Sequence, residues 1–204
     1  MPSNPNLYVV AAPSGGGKTS LVNALLERDD RINLSVSHTT RPPRPGEMDG
    51  VHYYFVDEET FQNLAGQGAF LEHARVYGHR YGTGRQAVED RLEAGYDVML
   101  DIDWQGARQV KASFPRCCSI FILPPSLEVL HSRLSRRGQD SSAVIDRRMQ
   151  QARSEIAHCR EFDFLVINDN FAAALEDLHS IVRRLTPVRI GQEQRIAALL
   201  AELL

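Results

Sequence analysis

Short runs that are apolar almost throughout alternate with stretches in which apolar residues recur every third or fourth position. Leu7–Ala11, Asp97–Asp101, Cys117–Leu123 and Phe164–Ile167 are runs of the first kind, as expected of strands covered on both faces. Leu21, Val22, Ala24, Leu25 and Leu26 set the second pattern, with the period of a helix. The same spacing predicts helices from Glu58 to about Ala65 behind an Asp57 cap and from Trp104 to Phe114. It predicts others from Ser126 to about Arg137, about Ala143 to Arg160, about Ala172 to Arg184, and Gln192 to Leu204. Thr83 and Gln86 have the spacing of a capping box for a helix running to Ala94, stopped by Gly95. Shorter strands fit Leu34–Ser37, Val51–Val56 and Ala69–Val76. Strands alternating with helices predict an α/β fold, a parallel sheet with helices on both faces. The last helix puts Ile196, Leu199, Leu200 and Leu203 on one side, so it packs on the body or on a second subunit.

Two stretches break this rhythm. The first, 38–83, opens on His38-Thr39-Thr40-Arg41-Pro42-Pro43-Arg44-Pro45-Gly46-Glu47, whose prolines exclude helix and central strand. The second, 133–146, gathers Arg133, Arg136 and Arg137 beside Gly138-Gln139-Asp140-Ser141-Ser142. The expected organisation is therefore a core of 1–37, 84–132 and 147–204, an inserted binding region at 38–83 and a lid at 133–146.

Composition narrows the classes. With 204 residues, 43% hydrophobic and 24% charged, the chain can bury a substantial core. A net charge of −3 provides no general basic field, so nucleic acid is not expected as a partner. No apolar run approaches the roughly 20 residues that cross a bilayer, and Met1–Asn6 is polar rather than a secretory leader. Cys117, Cys118 and Cys159 have no metal-ligand spacing and read as free thiols in a reducing compartment. A cytoplasmic protein is the expectation.

The chemistry concentrates at Ala12-Pro13-Ser14-Gly15-Gly16-Gly17-Lys18-Thr19, between the first strand and the first helix. Glycines let backbone N–H groups turn around an anion, and the helix N-terminus adds partial positive charge. Lys18 supplies an ammonium for the β- and γ-phosphates and Thr19 a hydroxyl for Mg²⁺, the layout of a P-loop. Ala12 stands where the written motif has glycine. Asp101 ends a buried strand at the edge where α/β sheets bind ligands, placed for Mg²⁺ or its waters. Asp103 caps the next helix or joins the site. Arg41 and Arg44, three apart on a proline-stiffened loop, read as an anion clamp or as a solvated loop. Arg147 and Arg148 near a helix start oppose the macrodipole, which phosphate binding explains and a solvated basic hairpin also fits. One nucleotide on the glycine loop and two arginine-bearing insertions fit phosphoryl transfer to a second phosphorylated substrate.

These residues carry a resemblance. Ser35–Glu47, Phe70-Leu71-Glu72-His73-Ala74, Tyr81-Gly82-Thr83, Leu100–Gly106, Ile122–Ser126, Arg136–Asp140 and Val166–Asp169, with the glycine loop, resemble the guanylate kinase family of bacterial kind over about residues 7–185. The resemblance implies ATP + GMP ⇌ ADP + GDP with Mg²⁺. It implies that Ser14, Gly15, Gly16, Gly17, Lys18, Thr19 and Ser20 hold ATP phosphates, and that Thr19 and, through water, Asp101 serve the metal. Arg41, Arg44, Tyr53 and Tyr81 would hold the GMP phosphate. Glu72 would read guanine, with Ser37, Thr83 and Asp103 around the base and Asp101 on the same acceptor side. Arg133, Arg137 and Arg148 match lid arginines, so Lys18, Arg41, Arg137 and Arg148 form the expected catalytic set. Asn168 matches the residue at the adenine edge. Family members often have Ser where Thr83 stands. Two rivals share the fold: a non-catalytic module that binds phosphorylated protein, and a kinase for another nucleoside monophosphate.

Overall fold

The computed structural model describes residues 5–135, 142–183 and 192–204. A five-stranded sheet has the order β2-β7-β1-β8-β9, formed by β1 (Leu7–Ala11), β2 (Ile32–Leu34), β7 (Asp97–Asp101), β8 (Cys118–Leu123) and β9 (Phe164–Ile167). The registers Ile32↔Asp97 and Ile120↔Phe164 are parallel. A four-stranded sheet has the order β4-β3-β6-β5, from β3 (Ser37–Thr39), β4 (Tyr54–Phe55), β5 (Phe70–Val76) and β6 (His79–Gly84). The helices are α1 (Lys18–Arg28), α2 (Glu58–Gly66), α3 (Arg85–Glu93), α4 (Trp104–Ser113), α5 (Leu127–Ser135), α6 (Ser142–Ile156), α7 (Phe171–Val182) and α8 (Gln192–Leu203). The chain divides into two compact units, 1–9 with 30–118, and 10–29 with 119–204. The second sheet lies wholly within the first unit.

The expected strands in the first unit need revision. Leu34–Ser37 is not one strand: Ile32–Leu34 joins the large sheet, and Ser37–Thr39 begins the small one. Of Val51–Val56 only Tyr54–Phe55 is extended, paired parallel with His38–Thr39. The aromatic and glycine-rich segment before Thr83 is strand β6, antiparallel to β5 from Val76↔His79 onward. Its turn is Tyr77-Gly78, with φ of 50° and 86°, the paired positive dihedrals of a two-residue hairpin turn. Tyr is an uncommon choice at such a position, which hides the turn from a composition rule.

Caps also differ. Asp57 accepts from Thr60 N–H and Asp103 from Gly106 N–H, as N-cap carboxylates do. The Thr83–Gln86 capping box does not form: α3 starts behind Gly84 without a side-chain cap. Strand pairing draws Thr83 into β6, and its hydroxyl bonds elsewhere. Helix α6 stops at Ile156, short of Arg160, and a tight turn at Cys159–Glu161 follows.

In the second unit, Leu199, Leu200 and Leu203 of α8 pack with Ala11, Phe121, Leu123, Ile156, Cys159 and Ile167. The apolar face of the last helix is thus used within its own unit. Leu203 is fully buried there, and Leu203→Ala should destabilise the protein by about 2–5 kcal/mol, read by urea unfolding. A change below about 0.5 kcal/mol, the range of surface substitutions, would mean α8 is not part of the core.

Candidate active site

The small sheet builds a polar cluster within the first unit by register alone. Ser37 pairs with Thr83 and Thr83 with Glu72, so three polar side chains form one cross-strand row on β3, β6 and β5. All three are buried. Thr83 Oγ1 donates to Glu72 Oε1 at 2.6 Å and lies 3.4 Å from Ser37 Oγ. The pairing of β5 shifts between Phe70 and Glu72, which leaves Phe70, Leu71 and Glu72 all buried in succession. A bulge re-aims side chains in this way, here turning a carboxylate inward. A carboxylate has about four lone-pair sites, and one takes Thr83.

Two residues along β6 from Thr83, about 7 Å at strand rise, stands Tyr81. The Tyr53 ring meets it edge-on at 5.9 Å, and the Arg41 guanidinium lies 5.4 Å from the Tyr53 centroid and 5.8 Å from that of Phe55. Arg41 donates to Glu47 Oε1 at 2.9 Å and to Pro42 O at 2.7 Å. Burial works against its charge, but Glu47 and the Tyr81 hydroxyl outweigh that and raise its pKa. Burial, reinforced by the charge of Asp101, pushes the Tyr53 phenol up to about 12. Tyr53 therefore keeps its proton and can donate to an anion. Arg44 is exposed, and its backbone N–H donates to Glu47 Oε2 at 2.7 Å. The structure thus gathers Arg41, Tyr53 and Tyr81 in one cluster, with Arg44 on the adjoining loop.

Glu47, which no sequence motif marks for the site, clasps that loop. Three residues from Arg44 and six from Arg41, it was within reach of a local reading. The Arg41 hydrogen bond, more than burial opposes, holds its carboxyl below the usual carboxylate value. A carboxyl depressed in the folded state stabilises above its unfolded pKa, and that contribution is lost as pH falls through the folded value. Glu47→Gln should flatten part of the acid limb of the thermal-stability profile between about pH 6 and about pH 3. Profiles of wild type and variant that stay parallel would contradict this.

The glycine loop lies within the unit of 10–29 and 119–204. Its turn is closed by Gly16 N–H to Pro13 O at 2.8 Å, with Gly15 and Gly17 at φ of 85° and 92°. At Gly17 a Cβ would also run into Asn168 Nδ2, so glycine is required twice over. Asn168 is buried and donates to Gly16 O at 2.9 Å. Arg133 Nη2 donates to Asn168 O at 3.0 Å, and Arg133 Nη1 lies 3.5 Å from Gly16 O. Both residues brace the loop backbone. Lys18 opens α1, and Thr19 and Ser20 are exposed on its first turn. Arg148 is half-buried on α6. Arg137 lies outside the described residues.

Glu155 is a further contact that the sequence did not disclose. The Ser14 N–H donates to Glu155 Oε2 at 3.0 Å, across 141 residues. That amide is thus satisfied by a carboxylate oxygen of the chain itself. No local pattern marks a lone Glu near the end of a helix for this task.

For the metal, Mg²⁺ takes one or two protein oxygens beside phosphate and water oxygens. The Thr19 hydroxyl is a hard oxygen donor of the required kind, and Asp101 is a carboxylate suited to an outer-sphere role. Thr19 and Asp101 belong to different units.

A strand–glycine loop–helix anion cradle and a separate carboxylate–arginine–tyrosine cluster define a nucleotide-binding protein with a second, anionic substrate. The family model described as guanylate kinase matches residues 4–185. A guanylate kinase of Nitrosococcus oceani is 58% identical over 199 residues, 98% of each chain. One of Coxiella burnetii is 52% identical over 97% of this chain and 96% of its own. A crystal structure of guanylate kinase from Anaplasma phagocytophilum superposes with a TM-score of 0.74 at 34% identity, covering 96% of this chain and 95% of that one. The chain belongs to the guanylate kinase family, and it is an enzyme that phosphorylates GMP to GDP with ATP.

Proposed function

We propose that the row Ser37–Thr83–Glu72 reads the guanine of GMP while Arg41, Arg44, Tyr53 and Tyr81 hold its phosphate. The observation that carries this is the buried Glu72, fixed by Thr83, about one ribose's span along β6 from the Arg41–Tyr53–Tyr81 cluster. Guanine presents adjacent N1–H and 2-amino donors, which one carboxylate accepts together. Adenine offers an acceptor at N1 and would leave the buried carboxylate unpaired. Asp103 and Asp101 complete the acceptor side, with Asp103 also capping α4.

ATP is held at the P-loop by residues 14–20, with Lys18 on the β- and γ-phosphates. A GMP phosphate oxygen attacks the γ-phosphorus as the bond to the bridging β,γ-oxygen breaks, and ADP leaves. The transition state spreads negative charge over the transferred group, so the work of the chain is positioning and charge neutralisation. Lys18, Arg41, Arg148 and Arg137 supply the cations. Arg133 and Asn168 act through the loop they brace, and Asn168 also borders the adenine. Thr19 would offer its hydroxyl to Mg²⁺ and Asp101 its carboxylate to the waters of the ion, which would supply neutralisation of phosphate charge. Residues 38–83 are assigned as the acceptor region and 133–146, of which 136–141 lie outside the described residues, as the lid.

Among the described residues no helix is long and apolar enough to cross a membrane, and the cytoplasm is the proposed location. Neither nucleic acid nor a membrane is a partner in this reading. Self-association is not required, because the apolar face of α8 is covered by its own unit. An ADP-release assay separates this enzyme from a non-catalytic relative: ADP should appear only with Mg-ATP and GMP together. No ADP under those conditions would overturn the proposal.

A further inference from the structure

The guanine-reading carboxylate has no packing room to spare, and helix α4 sets its limits. Gly106 stands on the first turn of α4, and its N–H is held by Asp103 Oδ1 at 2.9 Å. A Cβ built there would overlap Glu72 Oε2, lie 2.9 Å from Glu72 Cδ and 3.2 Å from Ile102 Cδ1. Real Cβ atoms essentially never come that close to another heavy atom, and the neighbour in question is a buried, bonded carboxylate rather than a loose chain end. One turn further, the Gln109 side chain docks on the strand itself. Its Nε2 donates to His73 O at 2.8 Å, and His73 N–H donates to its Oε1 at 3.1 Å. A side-chain amide thus closes both backbone groups of the residue next to Glu72, as a neighbouring strand would.

We infer that α4 is the positioning element for guanine recognition. Gly106 leaves the volume that Glu72 fills, and Gln109 fixes the height and tilt of β5 beneath it. Thr83 holds Oε1 from one side while α4 bounds Oε2 from the other. Neither Gly106 nor Gln109 is a catalytic residue; both act through Glu72. The consequence is directional. Adding a methyl group at Gly106 must move the carboxylate or part α4 from β5, and in both cases the two acceptors no longer match two guanine donors. The glycine loop belongs to the other unit and is untouched.

This inference rests on Glu72 as the guanine reader, and the test separates the two. Wild type, Gly106→Ala, Gln109→Met, Glu72→Gln and the double variant Gly106→Ala/Glu72→Gln are compared with GMP and with IMP, which lacks the 2-amino group. Gly106→Ala should raise KM for GMP by roughly tenfold to a hundredfold, the scale of about 1 Å of misplacement, while KM for ATP stays within about twofold. The preference for GMP over IMP should fall in parallel, a readout that general loosening of the fold would not move. Gln109→Met should show the same split with a smaller rise. In the Glu72→Gln background Gly106→Ala should add little, as coupled residues require. Loss of GMP preference in Glu72→Gln with an unchanged KM for GMP in Gly106→Ala would overturn the role of α4 alone. An unchanged preference in Glu72→Gln would remove the reading beneath it. If Gly106→Ala is poorly folded, Gln109→Met carries the decision, and unchanged GMP kinetics there overturns the inference.

Discussion

Lys18→Ala is expected to lower kcat by about 10²- to 10³-fold or more, the scale seen when one preorganised electrostatic donor is removed from a developing charge. The prediction follows from where the residue sits. Lys18 opens α1, immediately after a glycine at φ of 92°, on a loop whose Ser14 amide already binds a carboxylate oxygen. The loop backbone and helix terminus remain in the variant, so nucleotide still binds, more weakly. What disappears is the mobile cation that follows the γ-phosphoryl group as charge shifts toward the bridging oxygen. Single-turnover kinetics with saturating ATP isolates that step. GMP binding, measured by titration without ATP, should be unchanged because every residue assigned to it belongs to the other unit. Equal loss of GMP affinity would show that the glycine loop is not the donor site.

Glu72→Gln should reduce kcat/KM for GMP by roughly 10²- to 10³-fold, about 3–4 kcal/mol, with ATP affinity little changed. The isosteric amide keeps one oxygen but turns an NH₂ group toward a site built for two donors. One donor then meets another donor in a buried setting, which costs more than a missing bond. Thr83 adds a second reason. Its hydroxyl donates to Glu72 Oε1, and a rotated amide would place NH₂ there and force Thr83 to turn toward Ser37. The measurement is steady-state kinetics with each substrate varied in turn. Loss confined to the ATP side would contradict the assignment.

How far the sequence disclosed this site depended on distance along the chain. Ala12–Thr19 is contiguous, and each residue type there has a physical task, so the loop was legible as it stood. Arg41 and Arg44 are visible as cations on a stiff loop, but nothing in the sequence singles out their partner Glu47, although it lies six residues away or fewer. Glu72 and Thr83 meet only through the register of the β5–β6 hairpin. That hairpin turns on a Tyr in a left-handed conformation, which a rule based on glycine and asparagine does not flag. Without β6, Thr83 reads as a helix cap. Leu34–Ser37 illustrates the same limit, because nothing in those residues announces that the chain changes sheets between Leu34 and Ser37. Glu155 and Ser14 are 141 residues apart, and only the fold joins them.

The large sheet was legible for a complementary reason. Buried strands such as Leu7–Ala11 and Ile120–Leu123 are apolar on both faces, a signal that survives without knowledge of neighbours. Helix α8 shows the boundary between the two cases. Its apolar face was plain, whereas what covered it was decided by Phe121, Ile156 and Ile167, residues far off in sequence.

One buried carboxylate on a bulged strand is proposed to select guanine as the acceptor base. The direct measurement is an acceptor panel, with GMP, AMP, UMP and CMP supplied separately with Mg-ATP and nucleoside diphosphate product followed by chromatography. GDP should form from GMP at a kcat/KM at least about 10³-fold above that for AMP, with UMP and CMP poorer still. AMP or UMP phosphorylated as efficiently as GMP would contradict it.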